Sequence, residues 1–233
     1  MKKLLLGIAA VCLAGFTFAQ DAPLWMRHSV ISPDGTTIAF TYKGDIYTVP
    51  VAGGRAMQIT TNPAYDTAPV WSPDSKRIAF ASDRMGSLDV YIVAKDGGEP
   101  RRLTTHSGSE TPLAFTDAGH VLFSAGIMPS AEAVVFPSNG QFNQVYRVSV
   151  EGGRPTMISS MPMECISINK EGAMLYQDKK GYEDYWRKHH VSPIARDIWM
   201  YTPGKEPQYR QLTTFGGEDR EPFGLLMEKH STI

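Results

Sequence analysis

Short runs of alternating apolar and polar residues follow one another along the chain, separated by turns rich in Gly, Pro and Asp. From Val70 onward the runs "PVWS", "RIAFAS", "DVYIVA" and "PRRLT" carry many β-branched and aromatic residues, which favours strands. "SPDS" and "DGGE" lie between these runs and are typical of tight turns. The pattern predicts an antiparallel meander of four strands.

This unit occurs four times. The residues that lead its first turn are Ser32, Ser72, Thr116 and Asn169, which stand 40, 44 and 53 residues apart. Such a period is typical of propeller blades. We therefore predict an all-β fold, a β-propeller of about four four-stranded blades. In a meander the two tight turns share one end of the sheet, so the longer connections collect at the other end, where binding function is usually carried.

The first nineteen residues have the pattern of a secretory signal peptide. Lys2 and Lys3 precede an apolar run, and the small residue Ala19 marks the expected cleavage position. We expect a periplasmic or secreted protein with no membrane attachment after cleavage, an uncleaved anchor being the alternative. Cys165 would then be the one cysteine of the mature chain, and its place in the alternating run "MECISIN" predicts burial in a strand.

The last residues begin a blade without completing it. "GEDREP" repeats the acidic and proline-containing introduction of "YDTAPVWSPDS" and "GSETPLAFTDAG", but no second turn follows it. We expect residues 20–223 to be blades of a longer, truncated propeller and residues 224–233 to be an aberrant tail. The alternative is a closed four-bladed propeller with "FGLLM" as its last strand. An incomplete ring would expose apolar blade faces, which makes a homo-oligomer a possible outcome.

Composition and motifs narrow the chemistry. The chain of 233 residues is 42% hydrophobic and 20% charged with a formal net charge of -1, which argues against a nucleic-acid partner. It contains no G-x-S-x-G, H-E-x-x-H or C-x-x-C signature. We assign no catalytic residue, no metal ligand and no cofactor.

Two groups of side chains are candidates for binding. The first lies in the longest connection of the fourth repeat, where aromatic and basic side chains can anchor a peptide or a partner domain: Trp186, Arg187, His189 and His190. The second lies where inner strands begin, at a predicted channel rim that recognises charged peptide ends: Asp66, Glu110, Glu164, Asp219, Arg220 and Glu221. Arg196, Asp219, Arg220 and Glu221 are also candidates for direct contact with a peptide or partner. The structural alternatives are a packed loop for the first group, and turn caps or ion pairs between blades, with Arg84 and Arg196, for the second.

The repeat resembles a known family of propellers. "WSPDSKRIAFASDR", "DVYIV" and "GGEPRRLT" resemble the TolB-like repeat, a WD40-like PD40 repeat shared by TolB, prolyl-oligopeptidase-type peptidases and tricorn-type proteases. The stretch from Tyr182 to Pro222 is similar to the amino-terminal six-bladed propeller of bacterial tricorn-like peptidases of the S41 class. The resemblance runs from about Leu24 to Phe223 and departs from the family at Gly224.

The resemblance implies a role without catalysis. In such a serine peptidase the catalytic region lies in later domains, so these four blades of an open six-bladed ring would gate or bind peptides. The implied partners are peptides or the missing downstream protease domains. Two alternatives stay open: a TolB-like periplasmic protein-binding scaffold with no enzyme activity, and the amino-terminal part of a prolyl-oligopeptidase-type enzyme.

Overall fold

The computed structural model describes residues 25–126, 143–169, 171–178 and 194–222, which form sixteen strands and no helix. Each set of four consecutive strands makes one antiparallel sheet in sequence order, and we call these sheets blades one to four. The strands are β1 (Arg27–Ile31), β2 (Thr37–Tyr42), β3 (Asp45–Pro50), β4 (Met57–Gln58), β5 (Asp66–Trp71), β6 (Arg77–Ser82), β7 (Asp89–Ala94), β8 (Arg101–Arg102), β9 (Glu110–Asp117), β10 (His120–Ala125), β11 (Gln144–Ser149), β12 (Thr156–Ser159), β13 (Met163–Ile168), β14 (Met174–Asp178), β15 (Ile198–Thr202) and β16 (Gln208–Gln211). The predicted all-β propeller of four-stranded blades is confirmed, and the described blades do not close into a ring.

Each middle blade buries both of its faces. Along β6, Ile78 and Phe80 pack into the apolar cluster shared with blade one, whereas Ala79 between them packs into the cluster shared with blade three. Val90 and Ile92 on β7 join the blade-three side. The strand alternation places successive side chains on opposite faces, so one run of apolar residues serves two interfaces.

An aromatic pair across the second and third strands recurs at the same place in three blades. In blades two and three this pair packs against the preceding blade. In blade one the same pair lies on the face turned away from blade two. The ring centroids are separated by 5.8 Å for Phe40–Tyr47, 5.9 Å for Phe80–Tyr91 and 5.7 Å for Phe123–Tyr146.

The inner strand of each blade carries a bulge. His28, Ala68 and Cys165 occupy the same blade position and have φ values of 49°, 51° and 50°, a left-handed conformation rare for residues other than glycine. Pro112 takes this position in blade three, where its ring forbids positive φ, and the pairing irregularity there skips Leu113 instead. The prediction that Cys165 is buried is wrong, because the bulge shifts the alternation and leaves this residue exposed.

A set of polar residues closes one end of blades one, two and four. In each of these blades an aspartate begins or directly precedes the third strand, and a threonine lies two residues past the end of the fourth strand. The residue that follows the aspartate donates its backbone N–H to the hydroxyl oxygen of this threonine, at 2.9 to 3.0 Å. A glutamine or arginine from the fourth strand reaches the same aspartate. We call this set the junction clamp; it consists of Asp45, Gln58 and Thr60, of Asp89, Arg102 and Thr104, and of Asp197, Gln211 and Thr213.

The clamp also holds the beginning of the next inner strand. An acidic residue there donates its backbone N–H to the carbonyl just before the clamp aspartate: Asp66 to Gly44 at 2.7 Å, Glu110 to Leu88 at 2.7 Å and Asp219 to Arg196 at 2.9 Å. Each such bond ties one blade to the next through the backbone.

Residues 219–222 follow the backbone course with which β5 begins. Besides the shared hydrogen bond of Asp219, Glu221 has φ 53°, close to the 51° of Ala68, and both residues precede a proline. The "GEDREP" segment therefore shares one backbone hydrogen bond and one left-handed residue with the start of β5.

Some predictions lie outside the described residues. They are the signal peptide at 1–19, the tail at 224–233, most of the long connections after β10 and β14, and with them Trp186, Arg187, His189 and His190. Within the described ranges, no helix has the length and apolar character needed to span a membrane.

The clamp predicts a measurable cost for losing one hydroxyl. Thr104→Val leaves the buried N–H of Val90 without its acceptor and should lower the free energy of unfolding by about 1–3 kcal/mol in urea denaturation. Thr105→Val is the matched control, because Thr105 is exposed and should change stability by less than about 0.5 kcal/mol. Equal effects of the two substitutions would contradict the role of the clamp.

Candidate functional site

Charged side chains of alternating sign meet at the clamp end of blade four. Arg196, directly before clamp residue Asp197, lies 3.3 Å from Glu164 and 3.6 Å from Glu218, measured from guanidinium nitrogen to carboxylate oxygen. Arg220 lies 2.8 Å from the same Glu218 oxygen. We call Glu164, Arg196, Glu218 and Arg220, together with Gln177, the blade-four cluster.

Gln177 links the strands that meet in this cluster. Its side-chain amide donates to Glu164 Oε2 at 3.1 Å and accepts the backbone N–H of Glu221 at 3.0 Å. Gln177 is almost fully buried, whereas its partner Glu164 keeps 32% of its exposure. The inner strand β13, the second strand β14 and the segment 218–221 are thereby held together by one side chain.

The cluster contains partly exposed charges held in place by their partners. Burial raises the pKa of Glu218, but the hydrogen bond and charge of Arg220 and the charge of Arg196 outweigh this effect, so its pKa lies below the ordinary value. The side chains of Glu164 and Arg220 keep 32% and 24% of their exposure, so a ligand in solvent can reach both.

The thiol of Cys165 lies in the same electrostatic environment. Although the side chain reaches solvent, neighbouring protein atoms partly desolvate the thiol and raise its pKa, and the charges of Glu221 and Glu164 raise it further. A thiol with a raised pKa stays protonated at neutral pH and is a poor nucleophile. Cys165 therefore offers a small polar surface at this site rather than covalent chemistry.

A cavity of about 120 Å³ opens beside the cluster, between the inner strands of blades three and four. Its polar lining comes from Ser124, Asn143, Glu164 and Cys165, and its apolar lining comes from Leu113, Pro162 and Met163. A larger cavity of about 410 Å³ lies between blades one and two, but Arg84 on its wall is already engaged. The Arg84 guanidinium is paired with Asp66 at 2.7 Å and stacked 5.1 Å from the ring centroid of Tyr91. We take the smaller cavity as the candidate ligand site because it lies beside Glu164, a predicted site residue that is partly exposed.

The structure distributes the predicted rim residues over different junctions. It brings Glu164, Arg196, Arg220 and the backbone of Glu221 together at blade four. Asp66 and Glu110 are fully buried at the two earlier junctions. Glu164 lies one position later in its blade than those two, because Met163 takes the equivalent place.

The two predicted ion pairs form, but each joins parts of a single blade. Asp66 pairs with Arg84 within blade two, and Glu164 pairs with Arg196 within blade four. This corrects the expectation that they bridge neighbouring blades, because the arginine lies on the connection from the second strand to the third, directly beside the inner strand.

Sequence reasoning missed Gln177, Glu218 and the clamp threonines. The clamp had a readable signal, since "DIY" with "QIT", "DVY" with "RLT" and "DIW" with "QLT" repeat the same three positions. Among the residues that the structure describes, no group of three or more His, Cys, Asp or Glu side chains is arranged to hold a metal ion.

Comparison with known proteins agrees with this architecture. Residues 23–227 match the family model of the tricorn protease N-terminal β-propeller domain. Tricorn protease homolog 1 of Streptomyces coelicolor is 25% identical over 180 residues, which are 77% of this chain and 16% of that protein.

Solved structures show the same fold. A TolB-type protein from Agrobacterium tumefaciens superposes with a TM-score of 0.66 at 16% identity, over 86% of this chain and 66% of that one. The tricorn protease superposes with a TM-score of 0.64 at 18% identity, over 84% of this chain and 19% of that one. Because the family model covers most of the sequence, the chain belongs to the family of tricorn protease N-terminal β-propeller domains.

Proposed function

We propose that this chain is the non-catalytic propeller portion of an exported tricorn-like serine peptidase and that its blade-four cluster binds peptides on their way to a catalytic domain. The family match supports the link to a peptidase. The signal-like residues 1–19 and the likeness to a TolB-type protein support export to the periplasm.

The observation that carries the proposal is the row of alternating charges in the blade-four cluster. Glu164, Arg196, Glu218 and Arg220 present two carboxylates and two guanidinium groups next to a small, partly apolar cavity. A peptide end carries a carboxylate or an ammonium group and an adjacent side chain. The cluster offers a counter-charge for either end, and the cavity offers room for a small side chain.

Energetics allow such an exchange of partners. Glu218 also pairs with Arg196, so a peptide carboxylate that replaces it at Arg220 does not leave the Glu218 charge without a partner. Arginine binds carboxylates with two parallel hydrogen bonds, which gives the replacement a defined geometry.

The described residues that flank the predicted loop lie beside the cluster. The connection that contains Trp186 and Arg187 leaves blade four after Asp178 and returns before Arg196, and the backbone N–H of Asp178 bonds to the carbonyl of Asp197 at 3.1 Å. Both ends of this connection are therefore fixed beside the cluster. Contact of Trp186, Arg187, His189 or His190 with a peptide or with a downstream protease domain belongs to this proposal.

One observation favours a second candidate function. The fold superposes on a TolB-type protein as well as it does on the tricorn protease, with TM-scores of 0.66 and 0.64. A TolB-like scaffold would bind a folded protein of the cell envelope rather than an extended peptide. A folded partner needs a broad surface, whereas a peptide needs the cluster and its cavity.

Peptide binding can be measured with the full chain and fluorescein-labelled unstructured decapeptides, one set with a free and one with an amidated carboxyl terminus. We expect anisotropy titrations to show tighter binding of the free carboxylate, and Arg220→Gln to weaken it about tenfold, which corresponds to about 1.4 kcal/mol. Lys205→Gln removes the same charge from the exposed turn between β15 and β16 and should leave the affinity unchanged.

Arg196→Gln is a second test of peptide binding at the blade-four cluster. It removes the central guanidinium between Glu164 and Glu218, so binding should weaken at least as much as in Arg220→Gln. Unchanged affinity in both arginine variants would place peptide binding elsewhere. Absence of binding by the unaltered chain would leave the scaffold function as the better account.

A further inference from the structure

The junction between blades two and three holds two buried carboxyl groups. Asp89, a clamp residue on β7, and Glu110, the first residue of β9, are both fully buried. Neither Glu110 carboxyl oxygen has a hydrogen-bond partner of good geometry among the described residues, and the same holds for Asp89 Oδ1. Arg102 on β8 lies 2.8 Å from Asp89 Oδ2 and is the guanidinium that faces the pair.

The other junctions do not bury two carboxyl groups beside a single guanidinium. At the first junction Asp45 accepts hydrogen bonds from Gln58 and Thr60, while Asp66 has its own arginine, Arg84. At the third junction the equivalent places are taken by Gln144 and Met163, which carry no charge. At the second junction, in contrast, two carboxyl groups face one guanidinium.

Two fully buried carboxylates cannot both be ionised beside one partly exposed arginine without a large cost in desolvation and repulsion. We propose that the Asp89–Glu110 pair is a proton-binding site that keeps blades two and three tightly joined while one proton is bound and loosens their junction when the proton leaves. The proton ligand follows from the chemistry of the pair, because no third acidic or histidine side chain joins it to form a cation site within the described residues.

The surroundings of Glu110 place the loss of this proton near neutral pH. Burial raises the pKa of Glu110 to about 7; the Asp89 charge adds to the shift, whereas the Thr104 hydroxyl and Arg102 oppose it. His106, in the connection from β8 to β9, turns into its own loop, where its Nδ1 accepts the N–H of Gly108.

The raised pKa of Glu110 in the folded chain determines how folding stability changes with pH. In the unfolded chain Glu110 loses its proton near its ordinary pKa of about 4.5, whereas in the folded chain it keeps the proton up to about pH 7. The folded state therefore binds more protons between these values, so stability falls as pH rises from about 4.5 to about 7 and changes little from this source above that.

The test compares melting temperatures of the full chain at pH 5.5 and pH 8. For the unaltered chain we expect a melting temperature about 5 °C lower at pH 8 than at pH 5.5 from this pair. Glu110→Gln keeps the shape without the charge and should remove most of that difference by raising the melting temperature at pH 8. Glu110→Met places at this junction the residue that blade four carries at Met163, and it should do the same.

Asp66→Asn is the matched control at the first junction. It removes a carboxylate that has its own arginine, so it should lower the melting temperature at both pH values and leave the difference between them intact. The proposal is overturned if Glu110→Gln and the unaltered chain keep the same pH difference.

A second measurement does not depend on any variant folding. Infrared spectra of the unaltered chain should show the band of a protonated buried carboxyl group at pH 6 that disappears by pH 8. Hydrogen exchange of the Glu110 amide, which bonds to Leu88, should become faster over the same interval after correction for the intrinsic rate, while that of Asp66 should not. Absence of the infrared band at pH 6 would also overturn the proposal.

Discussion

The fold depends on the junctions between consecutive blades. Apolar faces of neighbouring blades supply the bulk of the burial, but such faces alone fix neither the register nor the spacing of two sheets. The junction clamp fixes the position of one blade relative to the next. It joins the third strand, the end of the fourth strand and the first residue of the next inner strand through backbone N–H groups that would otherwise be buried without partners.

The same constraint explains why charged residues lie at the junctions. A clamp aspartate and an acidic residue at the next strand start meet after blades one, two and four, so these junctions must balance negative charge. The first junction uses a separate arginine for Asp66, the second shares Arg102, and the segment at blade four is held within an extended network of arginines and glutamates. Differences in this balance give each junction its own chemistry on a repeated scaffold.

Sequence periodicity sufficed for the blades, their turns and the repeated start at "GEDREP", because alternation and turn residues are local signals. In the SPDG turn, for example, Ser32 Oγ donates to Asp34 and accepts the N–H of Thr37, all within six residues. Cys165 was misplaced because one left-handed residue changes which face a strand residue occupies. The blade-four cluster was predicted only in part, because Gln177 and Glu218 come from segments about forty residues apart and only the three-dimensional fold brings them together.

The most direct measurement of this account is the residue-specific hydrogen exchange of the amides of Asp66, Glu110 and Asp219 in the full chain. The account predicts that Asp219 is protected to a degree similar to Asp66, since each donates to the carbonyl before a clamp aspartate. Exchange of the Asp219 amide at the rate of an unstructured peptide, with Asp66 protected, would show that the clamp does not hold a strand start after blade four and would contradict the account.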